Sequence, residues 1–123
     1  MKLLLVIGAG GFIGATCRYV LSQFIQSKFL SAFPIGTLTV NIIGCLLVGL
    51  IFGLSERANI PSEWRLFLVT GLIGGFTTFS AFSIESVALL RDGQYLYLFA
   101  YVSASVILGF AATLLGIMIF RLT

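Results

Sequence analysis

Hydrophobic residues dominate four long stretches of the chain, and short polar segments separate them. Three of these stretches contain no Lys, Arg, Asp or Glu: residues 29–55, 66–84 and 93–120. The first stretch, from Leu3 to about Ile25, is interrupted only by Arg18. Each stretch can hold a helix of about 20 residues, which is the length that crosses the hydrocarbon core of a bilayer. The pattern predicts an all-α integral membrane protein with four transmembrane helices, at about residues 3–26, 34–54, 63–90 and 95–120.

The segments between these helices are short, so the four spans are expected to form a single domain, residues 1–123. Pro34 and Pro61 mark the first two connections, and an Asp-Gly turn marks the third. We expect these connections at residues 31–36, 55–62 and 91–93. The apolar run after Lys2 also has the form of a signal peptide. A membrane span is favoured because the apolar character resumes beyond Arg18 and no clear A-x-A cleavage site precedes it.

The composition indicates that lipid is part of the solvent of this protein. Hydrophobic residues make up 59% of the chain and charged residues 9%, and the mean hydropathy is +1.15, which leaves too little polar surface for a water-soluble globule. The net charge of +3 is too thinly spread to bind nucleic acid. Histidine is absent and the acidic residues do not cluster, so no zinc or di-metal site is predicted. Cys17 and Cys45 fall inside spans and are interpreted as packing residues.

Basic residues near the helix ends are almost evenly divided between the two sides of the membrane. With four spans, both termini lie on the same side. That side carries Lys2, Arg57, Arg65 and Arg121, whereas the other carries Lys28, Arg91 and, depending on its depth, Arg18. Because the bias is so weak, the sequence predicts insertion in both orientations.

Glycine and threonine interrupt the third hydrophobic stretch. Two adjacent glycines and two threonines at residues 74–78 form a poor helix interior. A break at membrane depth is tolerated only where it is buried in protein or lines an aqueous path, and its freed backbone groups can bind ions. The alternative is a continuous helix with a glycine-rich packing face. Pairs of glycines at four-residue spacing also predict close helix contacts: Gly10/Gly14, Gly49/Gly53 and Gly71/Gly75.

Polar side chains inside the spans are costly and therefore are candidates for function. Arg18 lies on one helical face with Gly14 and Ser22; it could snorkel to the headgroups or face a cavity as a buried cation. Asn41 lies in the middle of the second span. Its amide could bond a neighbouring helix or offer N–H groups to a passing anion.

Aromatic, hydroxyl and acidic side chains in the third and fourth spans are further candidates for function. Phe79 and Phe82 share one helical face; such pairs usually face lipid or neighbouring side chains, but ring edges carry partial positive charge and could line an anion path. Tyr101 and Ser105 lie on one face of the last span. Glu85 is the only acid inside a span; it could relay protons, pair with an arginine or reach water.

Three motifs together resemble the fluoride-exporting channel family known as Fluc or CrcB. They are Gly-Gly-Phe-Ile-Gly-Ala-Thr-Cys-Arg-Tyr at residues 10–19, Gly-Thr-Leu-Thr-Val-Asn-Ile-Ile-Gly at residues 36–44, and Gly-Gly-Phe-Thr-Thr-Phe-Ser-Ala-Phe at residues 74–82. The motifs occupy three of the four helices in the same order as in the family. Together with the length and hydropathy, they make the resemblance specific and effectively chain-wide.

The resemblance implies a fluoride-selective channel that exports fluoride passively across the bacterial inner membrane. The family's architecture is an antiparallel, dual-topology homodimer with two pores and a central structural sodium ion. By motif, backbone carbonyls of Gly74 and Thr77 from both chains would bind Na⁺. The pore would be lined by Phe79, Phe82, Asn41, Ser80, Tyr101 and Ser105, and Arg18 would be the vestibule cation. The family often has Thr at the position of Ala81, so one hydroxyl is missing here, and we expect altered conduction with the fold retained.

Two other classes of membrane protein fit the size and topology. A small multidrug-type, proton-coupled exporter needs a membrane-embedded carboxylate, expected in the first span, where this chain has Arg18 and no acid. A non-transporting structural subunit of a larger complex would use the glycine faces for docking. An enzyme is not predicted, because no nucleophile and base pair, metal set or phosphate loop is recognisable.

Overall fold

The computed structural model describes residues 1–122, and each of the four predicted spans is a long apolar helix or helix pair. Helix α1 comprises Lys2–Ser27 and helix α2 comprises Ile35–Arg57. The third span, Ser62–Arg91, is divided into α3, residues 62–76, and α4, Phe79–Arg91. Helix α5 comprises Tyr95–Arg121. All four spans are long and apolar enough to cross a membrane, as the hydrophobic pattern predicts.

One helix end differs from its predicted position by three residues. The second helix continues to Arg57, so residues 55–57 belong to α2 and not to the second connection. The last turn is closed by the Ala58 N–H, which donates to the carbonyl of Leu54 at 2.9 Å, and the basic residue in that turn is stabilised by the negative end of the helix dipole. The backbone becomes extended at Ala58.

Glycines bring the helix backbones into direct contact, as their spacing predicts. In the contact between α1 and α3, a Cβ atom added to Gly10 would lie 2.6 Å from the carbonyl oxygen of Phe67. In the contact between α2 and α5, a Cβ atom added to Gly116 would lie 2.6 Å from the carbonyl oxygen of Leu46. Side chains larger than hydrogen at these positions would separate the helices. The glycines therefore fix two helix pairs, α1 with α3 and α2 with α5.

Large apolar side chains cover much of the outer surface. Phe12 on α1 is 74% exposed and Phe110 on α5 is 72% exposed. The buried apolar cluster is small by comparison and is formed by Leu38, Leu89 and Tyr101. This distribution is the one expected where lipid or a second protein surface covers the helices.

The break in the third span is narrower than the sequence predicts. Gly74 and Gly75 are helical, and only Thr77 and Thr78 are extended, with ψ angles of 160° and 121°. A β-branched side chain suits an extended backbone better than a helical one. Thr78 also caps α4, because its Oγ1 accepts the backbone N–H of Ala81 at 3.1 Å. The eight residues before Gly74, Leu66–Ile73, form a π-helix, a feature that the sequence pattern does not predict.

Candidate functional site

The broken third span is held by the side-chain amide of Asn41. The Asn41 Nδ2 donates to the carbonyl of Thr78 at 3.0 Å, and the Thr78 backbone N–H donates to Asn41 Oδ1 at 2.8 Å. The amide thus pairs with the extended backbone as a neighbouring peptide group would. Of the two alternatives for this residue, the structure shows the bond to a neighbouring helix. That bond uses one of the two N–H groups of Nδ2, so the other is available to an anion.

Two backbone carbonyls at the break lose their usual helical donors. In a continuous helix, the Thr78 N–H would bond the carbonyl of Gly74, but here it donates to Asn41. The Ala81 N–H would bond the carbonyl of Thr77, but here it donates to the Thr78 hydroxyl. These are the same two carbonyls that the family resemblance implies as sodium ligands. Carbonyl oxygens are suitable ligands for a hard cation.

Arg18 reaches the break from α1. Its Nε donates to the carbonyl of Gly75 at 3.2 Å, and the residue is half-buried. In a continuous helix this carbonyl would accept the N–H of Phe79, which instead begins α4. The structure therefore shows a partly buried cation bonded to backbone. The vestibule role stays a prediction.

A cavity of about 520 Å³ opens beside the break. Six of the nine residues implied by the resemblance line it: Asn41, Gly74, Thr77, Phe79, Phe82 and Ser105. Most of the remaining lining is aliphatic or aromatic, including Val48, Val69 and Phe110. The wall thus combines few hydrogen-bonding groups with an apolar surround, which is the usual character of a selective binding site.

The two phenylalanines continue into a row of aromatic rings. The ring centroids of Phe79 and Phe82 are 5.7 Å apart, and those of Phe82 and Tyr101 are 5.0 Å apart. Phe79 is 79% exposed, whereas Tyr101 is fully buried. Ser80, also implied as a pore residue, lies on the exposed side of α4 with its Oγ 3.4 Å from the Thr78 hydroxyl. The rings of Phe79 and Phe82 are therefore free to present edges toward the cavity that they line.

Two serine hydroxyls are buried without a hydrogen-bond partner among the residues that the structure describes: Ser86 and Ser105. Such groups are uncommon in folded proteins. Ser105 also lines the cavity at the break. It is the one implied pore residue whose donor is both buried and unused.

Comparison with known proteins identifies the family. The family model described as CrcB-like protein, Camphor Resistance (CrcB), matches residues 5–117. The chain belongs to the CrcB family. A relative from Phocaeicola vulgatus is 47% identical over 117 residues, covering 95% of this chain and 97% of its own. Another from Flavobacterium psychrophilum is 46% identical over 120 residues, covering 97% of each chain. Both are named fluoride-specific ion channel FluC, so the predicted family is confirmed.

Sequence reasoning on this CrcB-family chain did not assign a partner to Glu85. In the structure its carboxylate accepts the Thr37 hydroxyl at 3.0 Å and the Tyr101 hydroxyl at 3.3 Å, two partners that the sequence did not suggest. The sequence pattern did not indicate Thr37 or Thr78 as site residues. Thr37 precedes Asn41 by one helical turn, and Thr78 immediately precedes a helix start; these two signals could have identified them.

Proposed function

We propose that this protein is a fluoride-selective channel that exports fluoride passively across the bacterial inner membrane. The observation that carries the proposal is the cavity at the break, where Asn41, Phe79, Phe82 and Ser105 come together in a chain whose relatives are named fluoride-specific ion channels. Fluoride is small and strongly hydrated, so a selective path must replace its water with closely placed donors. Amide, hydroxyl and ring edges do so without the deep trap that a row of lysines or arginines would create.

Side chains that can donate hydrogen bonds lie along the cavity at the break and beside it, as a conduction path requires. Asn41 and Ser105 line the same cavity as the two phenylalanines, and the buried Ser105 hydroxyl has no hydrogen-bond partner among the described residues. The Tyr101 ring extends this row beyond Phe82, and Ser80 lies one residue from Phe79. We propose that fluoride moves from donor to donor along these side chains, with ring edges stabilising it between them.

We propose that the functional unit is an antiparallel, dual-topology homodimer with two pores, each completed by both chains. Three observations support it. The cavity at the break is open on one side of the single chain, large apolar side chains such as Phe12 and Phe79 are exposed, and Gly74 is exposed at the break. The balanced basic residues favour insertion in both orientations, which an antiparallel pair requires.

We propose that a sodium ion is held at the centre of this dimer by the carbonyls of Gly74 and Thr77 from each chain. The residues fit such an ion, because both carbonyls have lost their helical donors to Asn41 and to the Thr78 hydroxyl. A cation at this position would neutralise four carbonyl dipoles and stabilise the break. Its role is structural.

Removal of Na⁺ is expected to lower both the melting temperature of the dimer and its fluoride flux. The carbonyls of Gly74 and Thr77 would repel one another across the dimer without a cation between them. The measurement is melting and flux after exchange of Na⁺ for N-methylglucamine, with recovery on adding Na⁺ back. Equal melting temperature and flux in both media would contradict the sodium proposal and leave the fluoride proposal standing.

The test of the main proposal is ion efflux from liposomes that contain only the purified protein, read with fluoride- and chloride-selective electrodes. We expect rapid fluoride loss with negligible chloride loss. Replacing Phe82 by isoleucine is expected to lower fluoride flux by about fivefold, which is the size of an aromatic contribution of about 1 kcal/mol. Phe99→Ile is the control, since Phe99 is 73% exposed at the start of α5. No flux from folded dimer would favour the non-transporting subunit.

A further inference from the structure

Arg18 makes its contact with the break through an unusual atom of its side chain. The donor to Gly75 is Nε, the nitrogen inside the guanidinium group nearest the backbone, and not one of the terminal nitrogens. Arginines that attract or bind anions usually present the terminal N–H fork. Here the inner N–H is committed to a neutral carbonyl, and the side chain is half-buried between α1 and α3.

The extended pair of threonines is thereby held from both ends by two different helices. On one side, Arg18 of α1 bonds the carbonyl of Gly75, the penultimate residue of α3. On the other side, Asn41 of α2 bonds both backbone groups of Thr78. The bond to the Gly75 carbonyl and the bond from the Thr78 N–H replace pairings that a continuous helix would make within itself. The hydrogen bonds of Arg18 and Asn41 therefore fix the orientation of the two nearby carbonyls, those of Gly74 and Thr77.

The contact between α1 and α3 makes this short reach possible. A Cβ atom added to Gly75 would lie 2.7 Å from the carbonyl oxygen of Gly11, and one added to Gly14 would overlap the carbonyl of Leu72. The end of α3 therefore lies directly against the α1 backbone, one turn before Arg18. A carbonyl freed at membrane depth must find a donor, and Arg18 is the donor that α1 supplies.

We propose that Arg18 is a positioning residue, whose Nε–H holds the end of α3 and so sets the geometry of the break, and that this hydrogen bond contributes more to fluoride flux than the charge of Arg18 does. The proposal rests on the proposed channel function for its effect on flux, but not for its effect on the fold. It predicts that loss of the hydrogen bond lowers the fluoride flux and the melting temperature more than loss of the charge does.

Two substitutions separate the hydrogen bond from the charge. In Arg18→Gln the amide nitrogen is attached to Cδ, the same atom that carries Nε in arginine, so the variant keeps an N–H donor at that place and loses the charge. In Arg18→Lys a methylene occupies the place of Nε, so the variant keeps the charge and loses the donor. Arg18→Met lacks both. Lys28→Gln is the control for loss of one positive charge from α1, because Lys28 contacts the Phe24 ring and not the break.

The experiment is fluoride efflux from liposomes holding each variant as a folded dimer, repeated at constant fluoride and rising concentrations of an impermeant potassium salt. We expect Arg18→Gln to conduct within about threefold of the native protein and Arg18→Lys to lose at least about tenfold. We also expect native protein and Arg18→Gln to depend equally on salt, since a charge that collected anions would be screened.

Several results would overturn the proposal. They are normal conduction by Arg18→Lys with failure of Arg18→Gln, normal conduction by both variants, and a fall of both variants to the level of Arg18→Met. Failure of Arg18→Gln to fold where Arg18→Lys folds would overturn it too. If the native protein carries no fluoride, the channel proposal fails, and the positioning role is then decided by melting temperature alone, with Arg18→Gln expected to melt above Arg18→Lys. The opposite order, or equality, would refute it.

Discussion

Replacement of Gly14 by alanine is expected to abolish the folded protein. The added Cβ atom would overlap the carbonyl of Leu72 and would lie 2.9 Å from the backbone N of Phe76. Both neighbours are backbone, so neither can turn away, and α1 would have to separate from α3. Overpacking of this kind costs about 3 kcal/mol or more, a large share of the stability of a small domain. The measurement is the yield of monodisperse protein in detergent together with its melting temperature.

Gly11→Ala is the matched control for that loss. Gly11 lies on the same helix three residues earlier, and a Cβ atom there would meet the carbonyl oxygen of Gly71 at 3.9 Å, an ordinary van der Waals distance. Alanine is the better helix former by about 1 kcal/mol, so this variant should be as stable as the native protein or slightly more stable. If Gly14→Ala and Gly11→Ala melt at the same temperature, the close contact between α1 and α3 does not exist as described.

The four spans could be predicted from sequence because their cause is local. A helix in lipid needs about 20 apolar residues, and charged residues mark where each run begins and ends. The boundaries at Lys2, Ser27 and Arg91 follow from this pattern to within a residue. The end of α2 does not, because a helix can continue through polar residues, and here its backbone hydrogen bonds run on until the Ala58 N–H bonds the carbonyl of Leu54.

The position of the break could be predicted only approximately, for a physical reason. Low helix propensity pointed to the whole stretch of residues 74–78, glycines included. Gly75 remains helical because it is packed against Gly11 of α1, and that packing depends on tertiary structure. The break falls instead at Thr77 and Thr78, where the Thr78 hydroxyl can cap α4 and the Asn41 amide can bond the extended backbone.

The family resemblance predicted which residues form the site, but only the structure shows how they contact one another. Spacing alone left open whether Asn41 bonds a helix or an anion, and whether Glu85 pairs with an arginine or with water. Each answer depends on which helix lies opposite. Asn41 faces Thr78 because α2 passes the break, and Glu85 faces Thr37 and Tyr101 because α4 packs against both α2 and α5. No periodicity within one helix contains this information.

Replacement of Asn41 by leucine is expected to lower fluoride flux by about a hundredfold and also to destabilise the fold. Leucine has a similar shape but leaves the Thr78 N–H without the acceptor seen at 2.8 Å, and it removes the amide bond at 3.0 Å to the Thr78 carbonyl. An unpaired buried N–H costs about 1–3 kcal/mol. A penalty of about 3 kcal/mol on the native conformation of the break would reduce its population about a hundredfold. The measurements are liposome flux and melting temperature.

Thr113→Val is the matched control for Asn41→Leu. The Thr113 hydroxyl also donates to a backbone carbonyl of α2, that of Cys45 at 3.1 Å, but it lies away from the break on α5. Losing this interhelical bond should cost about 1 kcal/mol and leave flux unchanged. If Asn41 served only as an anion contact, Asn41→Leu would lose flux without melting earlier than the native protein. If it served neither purpose, flux would persist, and the break would have to be held by Arg18 and the Thr78 cap alone.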